Sequence, residues 1–424
     1  MAGRRSTSRG ESLTIRVAPP VALYLHVPFC VSICPYCDFV VVAGAATRGP
    51  RSSIWRYLRA VERELQLRAD RLDAAFGPPG TPRRPALASV YLGGGTPSLL
   101  EPEAIRRLLD VIRRRYGIAA DAETTIEANP GPDERGDARA LRAAGVTRLS
   151  MGAQSLQDPE LRRLGRRHGA DDVRATVAAA RAAGIPSVSL DLLYDIPGQS
   201  VADFSASLDA ALALEPDHLS LYALTLEDPV RDGLTQPGGD HLPTTAGARR
   251  WRTRSRPLQD EDRAAAMYEL AVDRLGAAGF RGYEISNWAR PGHESRHNLA
   301  YWQRRPHEAV GPGAHAFDGR TRRWNAAALG PYLEALDPST PDRAPRLPPG
   351  GAESLDARSA AAESAILALR LDRGVDAAAA ERGPLAPHLD WAIAAGLLAG
   401  IGEGRFALTT RGRLLSNELF ARLV

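Results

Sequence analysis

The sequence predicts an α/β protein built on a partial (β/α)6 TIM-like barrel, followed by a C-terminal winged-helix-like α+β domain. Three observations carry this expectation. Short strand-like runs alternate with amphipathic helical stretches between residues 22 and 224, the pattern of a parallel sheet with right-handed crossovers. Unusual residues fall at the C-terminal ends of successive strands: cysteines after the first, glycines after the second, then Glu127 and Gln154. That is the edge on which parallel α/β barrels place their active sites. Beyond residue 351 the rhythm changes to helices around a short hairpin piece.

Residues 1–16 are polar and arginine-bearing and read as a disordered tail with no export signal. The barrel core is expected over 17–225. Residues 22–29 alternate and are rich in Val, Leu and Tyr, so they form a strand running into the cysteine loop. A helix is expected over 53–72 and a Gly/Pro-rich surface loop over 76–85. Strands over 89–92, 124–128, 148–153, 187–194 and 218–224 alternate with helices over 101–116, 137–144, 171–183 and 201–214. Residues 226–336 extend the barrel. Within them 229–257 lack periodicity and read as an exposed insertion, 260–278 read as a helix, and 283–324 are compact, aromatic and histidine-bearing. A Pro/Gly linker is expected over 337–351. The C-terminal domain, 352–424, carries helices over 356–371 and 385–398, a hairpin piece over 402–408 and a final helix over 409–423.

Composition narrows the function. A length of 424 residues allows two to three domains. The net charge of +4 is small for that length and does not indicate a nucleic-acid partner. All 54 basic residues are arginine, which removes P-loop and Schiff-base chemistry, since both need lysine. No apolar run reaches the roughly 20 residues of a membrane span. Cys30, Cys34 and Cys37 are the only 3 cysteines. An odd number excludes a closed disulfide set, and reduced thiols without an export signal indicate the cytoplasm.

The spacing C-x3-C-x2-C places soft thiolates on one short loop, a ligand set suited to an iron–sulfur cluster or to zinc. Zinc would want a fourth ligand, for which His26 is the candidate. Three thiolates on a four-iron cluster leave one iron open. Gly93, Gly94 and Gly95 give a backbone that an amino-acid carboxylate or a phosphate can approach, or simply a tight turn. Asp191 lies in the apolar run Val-Ser-Leu-Asp-Leu-Leu-Tyr, where a carboxylate needs hydrogen-bond partners. Glu127, Gln154 and Arg166 are unremarkable singly.

Together these stretches resemble the radical S-adenosylmethionine (radical SAM) family. They are Leu-Tyr-Leu-His-Val-Pro-Phe-Cys, Gly-Gly-Gly-Thr-Pro-Ser, Glu-Ala-Asn-Pro-Gly, Met-Gly-Ala-Gln-Ser, Leu-Gly-Arg-Arg-His, Leu-Asp-Leu-Leu-Tyr-Asp-Ile-Pro-Gly-Gln and His-Asn-Leu-Ala-Tyr-Trp. The resemblance, which covers about residues 22–325, is to the branch of oxygen-independent coproporphyrinogen dehydrogenases and HemW-type heme chaperones. It implies a radical SAM barrel in which Cys30, Cys34 and Cys37 hold a 4Fe-4S cluster whose open iron is chelated by S-adenosyl-L-methionine (SAM). It further implies that Tyr24, Tyr36, Gly94, Gly95, Thr96, Glu127, Gln154, Arg166 and Asp191 line the SAM site. In that reading Glu127 faces the amino group, Arg166 the carboxylate and Asp191 the ribose hydroxyls. Asp195 stands where the family pattern has glycine, a departure on the adenine side.

Phe39 separates the two branches. The dehydrogenases resemble C-x3-C-x2-C-x-C, and this chain has phenylalanine at the fourth position. Its cysteine loop also begins some 20 residues in, leaving no room for a substrate-covering segment ahead of it. The motif His297-Asn298-Leu299-Ala300-Tyr301-Trp302 resembles that of the chaperones, which makes His297 the expected heme ligand and Tyr301 and Trp302 porphyrin-packing rings. The resemblance therefore implies a heme chaperone whose partners are heme and heme-accepting apoproteins, respiratory enzymes among them. No nucleic acid is expected, and peripheral membrane association is compatible with the chain. The alternative is oxidative decarboxylation of coproporphyrinogen III by a SAM-derived radical.

Overall fold

The computed structural model describes residues 17–47, 49, 52–226, 241–242, 244–337, 346–376 and 385–424. The expected tail, 1–16, much of the expected insertion and part of the expected linker lie outside the described residues. Six parallel strands form the centre: β1 (Ala22–Val27), β2 (Leu87–Gly94), β3 (Ile118–Ala128), β4 (Arg148–Gln154), β5 (Ser187–Tyr194) and β6 (His218–Ala223). They pair in chain order. Their connections carry α1 (Ile54–Phe76), α2 (Pro102–Tyr116), α3 (Ala138–Ala144), α4 (Asp158–Arg163), α5 (Ala170–Ala182) and α6 (Val201–Leu212).

The strands are buried on both faces, as parallel strands covered by helices must be. Leu23, Leu25, Leu92, Ile126, Leu149, Leu190 and Leu219 are within 1 % of full burial and meet the apolar faces of α1, α2 and α6 in one large core. Each such side chain contributes about 1.5–3 kcal/mol on leaving water. Helix starts are set locally. Ser200 and Asp203 form a reciprocal capping box on α6, and the Asp137 carboxylate caps α3.

The sheet extends past both ends of the parallel core. After α7 (Ala246–Ser255) and α8 (Glu261–Ala277), the short strands β7 (Arg281–Gly282) and β8 (Asn287–Ala289) add antiparallel beyond β6. Helix α9 (Arg296–Trp302) then leads to β9 (His307–Val310), which pairs parallel with the far side of β1. Beyond it lie β10 (His315–Phe317), β11 (Thr321–Asn325) and β12 (Gly350–Ser354). The result is an open array of 12 strands in the order β12-β11-β10-β9-β1-β2-β3-β4-β5-β6-β8-β7. Among the described residues the two edges do not pair, so the expected barrel is a partial one.

A buried charged network ties the added layer to the core. Glu64 on α1, 0 % exposed, accepts from Arg68 Nε at 2.6 Å, Asn325 Nδ2 at 2.8 Å, Tyr332 Oη at 2.8 Å and Gly311 N at 2.9 Å. Four donors on one carboxylate satisfy a charge that would otherwise be prohibitive to bury.

Three expectations need correcting. The stretch read as an exposed insertion contains α7, whose Arg252 is 4 % exposed and packed against the cysteine loop. Periodicity missed it because its contacts are polar side chains rather than an apolar stripe. The 351/352 boundary cuts through β12, which belongs to the main sheet because Gly350 and Gly351 leave room for the backbone and ring of Trp324. The expected final helix is two, Thr410–Leu414 and Ser416–Leu423. After β12 the chain forms α10 (Ala357–Arg370) and a small three-stranded antiparallel sheet of Val375–Asp376, Arg405–Leu408 and Leu398–Gly400. A separate apolar cluster holds this region together, with Leu369, Leu389, Leu397 and Leu419 at its centre.

Candidate functional site

The C-terminal ends of β1 to β5 converge on one cavity. Strand β1 runs into the cysteine loop, which returns on itself through Cys30 N to Val42 O at 3.0 Å and Val42 N to Pro28 O at 2.7 Å. The Thr47 hydroxyl donates to Cys30 O at 3.0 Å. From outside, Arg252 donates to Pro35 O at 3.1 Å, Cys37 O at 3.0 Å and Asp38 Oδ1 at 2.7 Å. The loop is therefore held at its backbone, leaving three reduced thiols, Cys30, Cys34 and Cys37, to face the cavity.

That cavity, about 520 Å³, is lined by all three cysteines with Tyr36, Gly94, Gly95, Glu127, Gln154, Arg166 and Asp191. Thr96 reaches it indirectly, with its hydroxyl 3.5 Å from Cys30 Sγ. Tyr24 does not line it; its phenol bonds His26 Nδ1 at 3.0 Å on the adjacent side of the sheet. Sequence reasoning did not single out Asn129, Arg148, Ser150 or Arg252. Asn129 links the sulfur contacts: it donates to Thr96 Oγ1 at 2.9 Å and accepts from Arg166 Nη2 at 2.6 Å, while Arg166 Nη1 lies 3.4 Å from Cys34 Sγ. Its position inside Glu-Ala-Asn-Pro-Gly was the available signal. Arg252 had none, since it lies more than 200 residues away along the chain.

The glycines act differently from the expectation that their N–H groups approach a ligand. Gly94 N donates to Glu127 Oε2 at 2.8 Å, and Gly95 N donates to Val27 O at 2.8 Å. Gly94 has φ +109°, and a Cβ there would fall on the His26 ring. At Gly95 a Cβ would lie 2.6 Å from Phe29 O. Glycine is needed because β2 passes close under the cysteine-loop entry. His26 in turn is fully engaged, with Nε2 2.7 Å from Val40 O. A fourth metal ligand at His26 would have to break one of these bonds.

Burial sets the charge states. It pushes the Cys30 thiol up to about 11 and the Cys37 thiol up to about 12, so these sulfurs favour the neutral thiol until a metal takes the thiolate. Burial raises Glu127 to about 7 against the opposing bonds from Tyr91 and Gly94. Asp191 is raised by burial and partly offset by Ser220, Arg148 and Ser150. Gln154 sits at φ +66° and Asp195 at φ +55°. The second value explains why glycine suits that position and why aspartate, which tolerates the left-handed region, can replace it. The Asp195 carboxylate turns away to Arg263 Nη2 at 2.8 Å and is not part of the cavity lining.

A second cavity of about 570 Å³ adjoins the first; Phe39, Gly94 and Glu127 line both. Its walls include His26, His307, His315, Tyr301, Trp302, Phe317, Arg304 and Arg322. His297, the expected heme ligand, is 1 % exposed and not among them. Its Nδ1 lies 3.0 Å from Ser89 Oγ and its Nε2 2.8 Å from Tyr301 Oη. Both nitrogens are bonded within the fold, and burial lowers its pKa to about 3.

The donor set fits a cluster with a bound cosubstrate. Three thiols, a buried Tyr36 hydroxyl with no hydrogen-bond partner among the described residues and two carboxylates line one space. Among the described residues no three His, Cys, Asp or Glu side chains gather closely enough to hold a single metal ion; a four-iron cluster binds each thiolate to a different iron.

Comparison with known proteins agrees. The Radical SAM superfamily model matches residues 24–211. Heme chaperone HemW of Mycobacterium tuberculosis (strain H37Rv) is 40 % identical over 96 % of this chain and 95 % of its own length. The chain belongs to the HemW family of radical SAM proteins. The HemW of Bacillus subtilis (strain 168) is 32 % identical over 94 % of this chain and 97 % of its own length. A solved structure of coproporphyrinogen III oxidase (HemN) from Escherichia coli superposes with a TM-score of 0.75, covering 97 % of this chain and 91 % of that one. At 23 % identity that likeness establishes the fold alone. For a member of the HemW family, the radical SAM superfamily implies a 4Fe-4S cluster and SAM. Among the described residues no helix is long and apolar enough to cross a membrane.

Proposed function

We propose that this protein is a heme chaperone, which binds heme and transfers it to acceptor apoproteins while carrying a 4Fe-4S cluster and SAM. The observation that carries the reading is the pair of adjoining cavities. One is lined by three thiols, the other by aromatic rings, imidazoles and arginines, and Phe39, Gly94 and Glu127 belong to both. The names of its HemW relatives support the same reading. Work in the cytoplasm is consistent with three reduced thiols, and the acceptors include heme-dependent respiratory apoproteins reached by peripheral contact.

In this reading Cys30, Cys34 and Cys37 hold the cluster. When bound, it supplies an open iron for the amino and carboxylate groups of SAM. The rest is done by the chain. Thr96 and Arg166 donate toward Cys30 and Cys34, which stabilises thiolate charge in a buried loop. Glu127, once ionised, faces an ammonium group, and Asp191 with Ser150 and Ser220 offers acceptors to ribose hydroxyls. Tyr36, Gly94, Gly95 and Gln154 complete the lining.

Phe39 argues against coproporphyrinogen oxidation, because it fills the fourth-cysteine position and is 68 % exposed toward both cavities. The test is anaerobic cluster reconstitution followed by parallel hemin titration and coproporphyrinogen turnover. Stoichiometric hemin binding with transfer to an apoprotein is expected. Protoporphyrinogen production coupled to SAM cleavage would overturn the chaperone reading.

A further inference from the structure

Arg148 opens β4 and is only 3 % exposed, yet its charge lacks an ordinary anchor. Among the described residues its Nε has no hydrogen-bond partner. No carboxylate stands beside it in register, where its neighbours are the neutral Thr125 of β3 and Ser187 of β5. The other guanidinium of the cysteine cavity, Arg166, is committed to Cys34, Asn129 and Gly152. A buried cation without a close anion is costly, so its presence calls for compensating charge nearby.

The sheet supplies it as a column of acids. Alternate residues of a strand share a face, so Glu123 and Glu127 lie on the same face of β3 as Thr125, the register partner of Arg148. Glu123 is already used by α9, accepting from Arg296 N at 3.0 Å and His297 N at 3.2 Å. Glu127 lines the cysteine cavity together with Arg148 itself and with Asp191 of β5. The other titratable groups around these acids carry no charge. Burial keeps Tyr24 of β1, Tyr91 of β2, Tyr222 of β6 and Tyr301 of α9 protonated. It also keeps His26 and His297 neutral. Asp191 and Arg148 are then the charges that act on Glu127, in opposite directions, against a larger upward push from burial. Asp191, itself raised by burial, is relieved by Ser220, Arg148, Ser150 and Arg166.

We propose that Arg148 is a positioning residue for SAM, the shared counter-charge that holds the carboxylates of Glu127 and Asp191 ionised toward the cosubstrate. This rests on the SAM site described under the proposed function. Two carboxylates lining one cavity raise each other's proton affinity, and a cation near both reverses that. A guanidinium in a tight pair with one acid would be largely neutralised by it. Arg148, one register step from the level of Glu127 and Ser150, instead exerts its field on both acids.

The test uses the full, cluster-reconstituted chain and two readouts across pH: calorimetric SAM affinity, and the infrared band of the protonated carboxyl that Glu127→Gln abolishes. Arg148→Met keeps much of the side-chain length and removes the charge. It is expected to move the Glu127 band titration and the rise in SAM affinity upward by about one pH unit. At pH 7 that shift weakens SAM binding about fivefold, and at high pH the affinities converge. Arg148→Lys is expected to restore both profiles. Equal cluster content and melting temperature establish folding, and Arg148→Gln replaces the methionine variant if that one unfolds. A Glu127 band that titrates as in the wild type in a folded, uncharged variant would overturn the proposal. So would an affinity loss that is equal at every pH. Absence of SAM binding by the wild type would instead overturn the cosubstrate reading, while the infrared titration still decides the role of Arg148.

Discussion

Arg166 holds the cysteine loop by its sulfur: Nη1 lies 3.4 Å from Cys34 Sγ, and Nη2 is anchored 2.6 Å from Asn129 Oδ1 and 2.9 Å from Gly152 O. One guanidinium therefore ties the loop after β1 to the ends of β3 and β4. Arg166→Met removes that tie while keeping much of the side-chain volume. A hydrogen bond involving a charged group contributes roughly 1.5–3 kcal/mol. Iron and sulfide bound per chain after anaerobic reconstitution are expected to fall, with faster oxidative loss of the cluster. Wild-type cluster content and lifetime would show that Arg166 does not support the sulfur.

Glu127 makes a pH prediction. Its folded pKa is raised to about 7 by burial, against the bonds from Tyr91 and Gly94, with Asp191 raising it further and Arg148 opposing. An unfolded glutamate titrates near about 4.3. The stability contributed by the neutral acid is thus fully present below about 4.3 and lost as pH rises through about 7. Affinity for the SAM ammonium group runs the other way, since only the carboxylate attracts it. Calorimetric titrations are expected to show SAM affinity rising through pH 7 in the wild type and a flat profile in Glu127→Gln.

Arg252 is the clamp that sequence reading missed. Arg252→Ala removes bonds to Pro35 O, Cys37 O and Asp38. Because Asp38 is partly exposed, water can take over its charge, and the loss is expected to be on the order of 2 kcal/mol. Limited proteolysis should then cut within residues 31–39 sooner than in the wild type. Resistance equal to wild type would remove the clamp role.

His297→Ala separates structure from ligation. It opens a buried space and strands the Ser89 and Tyr301 hydroxyls, so a loss of about 2–4 kcal/mol in unfolding free energy is expected. The position of the hemin Soret band in the folded fraction should not move. A shifted band at unchanged stability would return the ligand role to His297.

Much of the core was legible in the sequence because its signals are local. Alternation, helical periodicity and glycine punctuation located the parallel strands, and strand 187–194 has the bounds expected of it. The start of β3 was not legible because most of its first residues, 118–123, are partly or fully exposed and do not alternate as a half-buried strand does. Cysteine spacing and motif order were enough to reach the family, since ligand type and spacing along a loop survive without knowledge of the fold.

What the sequence by itself determined is the chemistry on offer: three thiols on one loop, acids and glycines at strand ends, and a phenylalanine where a fourth thiol would stand. Only the tertiary structure decided which groups remain available. It occupied the Gly94 and Gly95 amides with Glu127 and Val27, closed both nitrogens of His297, and brought Arg252 onto the cysteine loop. It also lined one cavity with residues as far apart along the chain as His26, Tyr301 and Arg322. The reason is physical. A residue's type fixes what it can donate or accept, but whether that capacity is already satisfied depends on partners far away in the chain, which no spacing rule records.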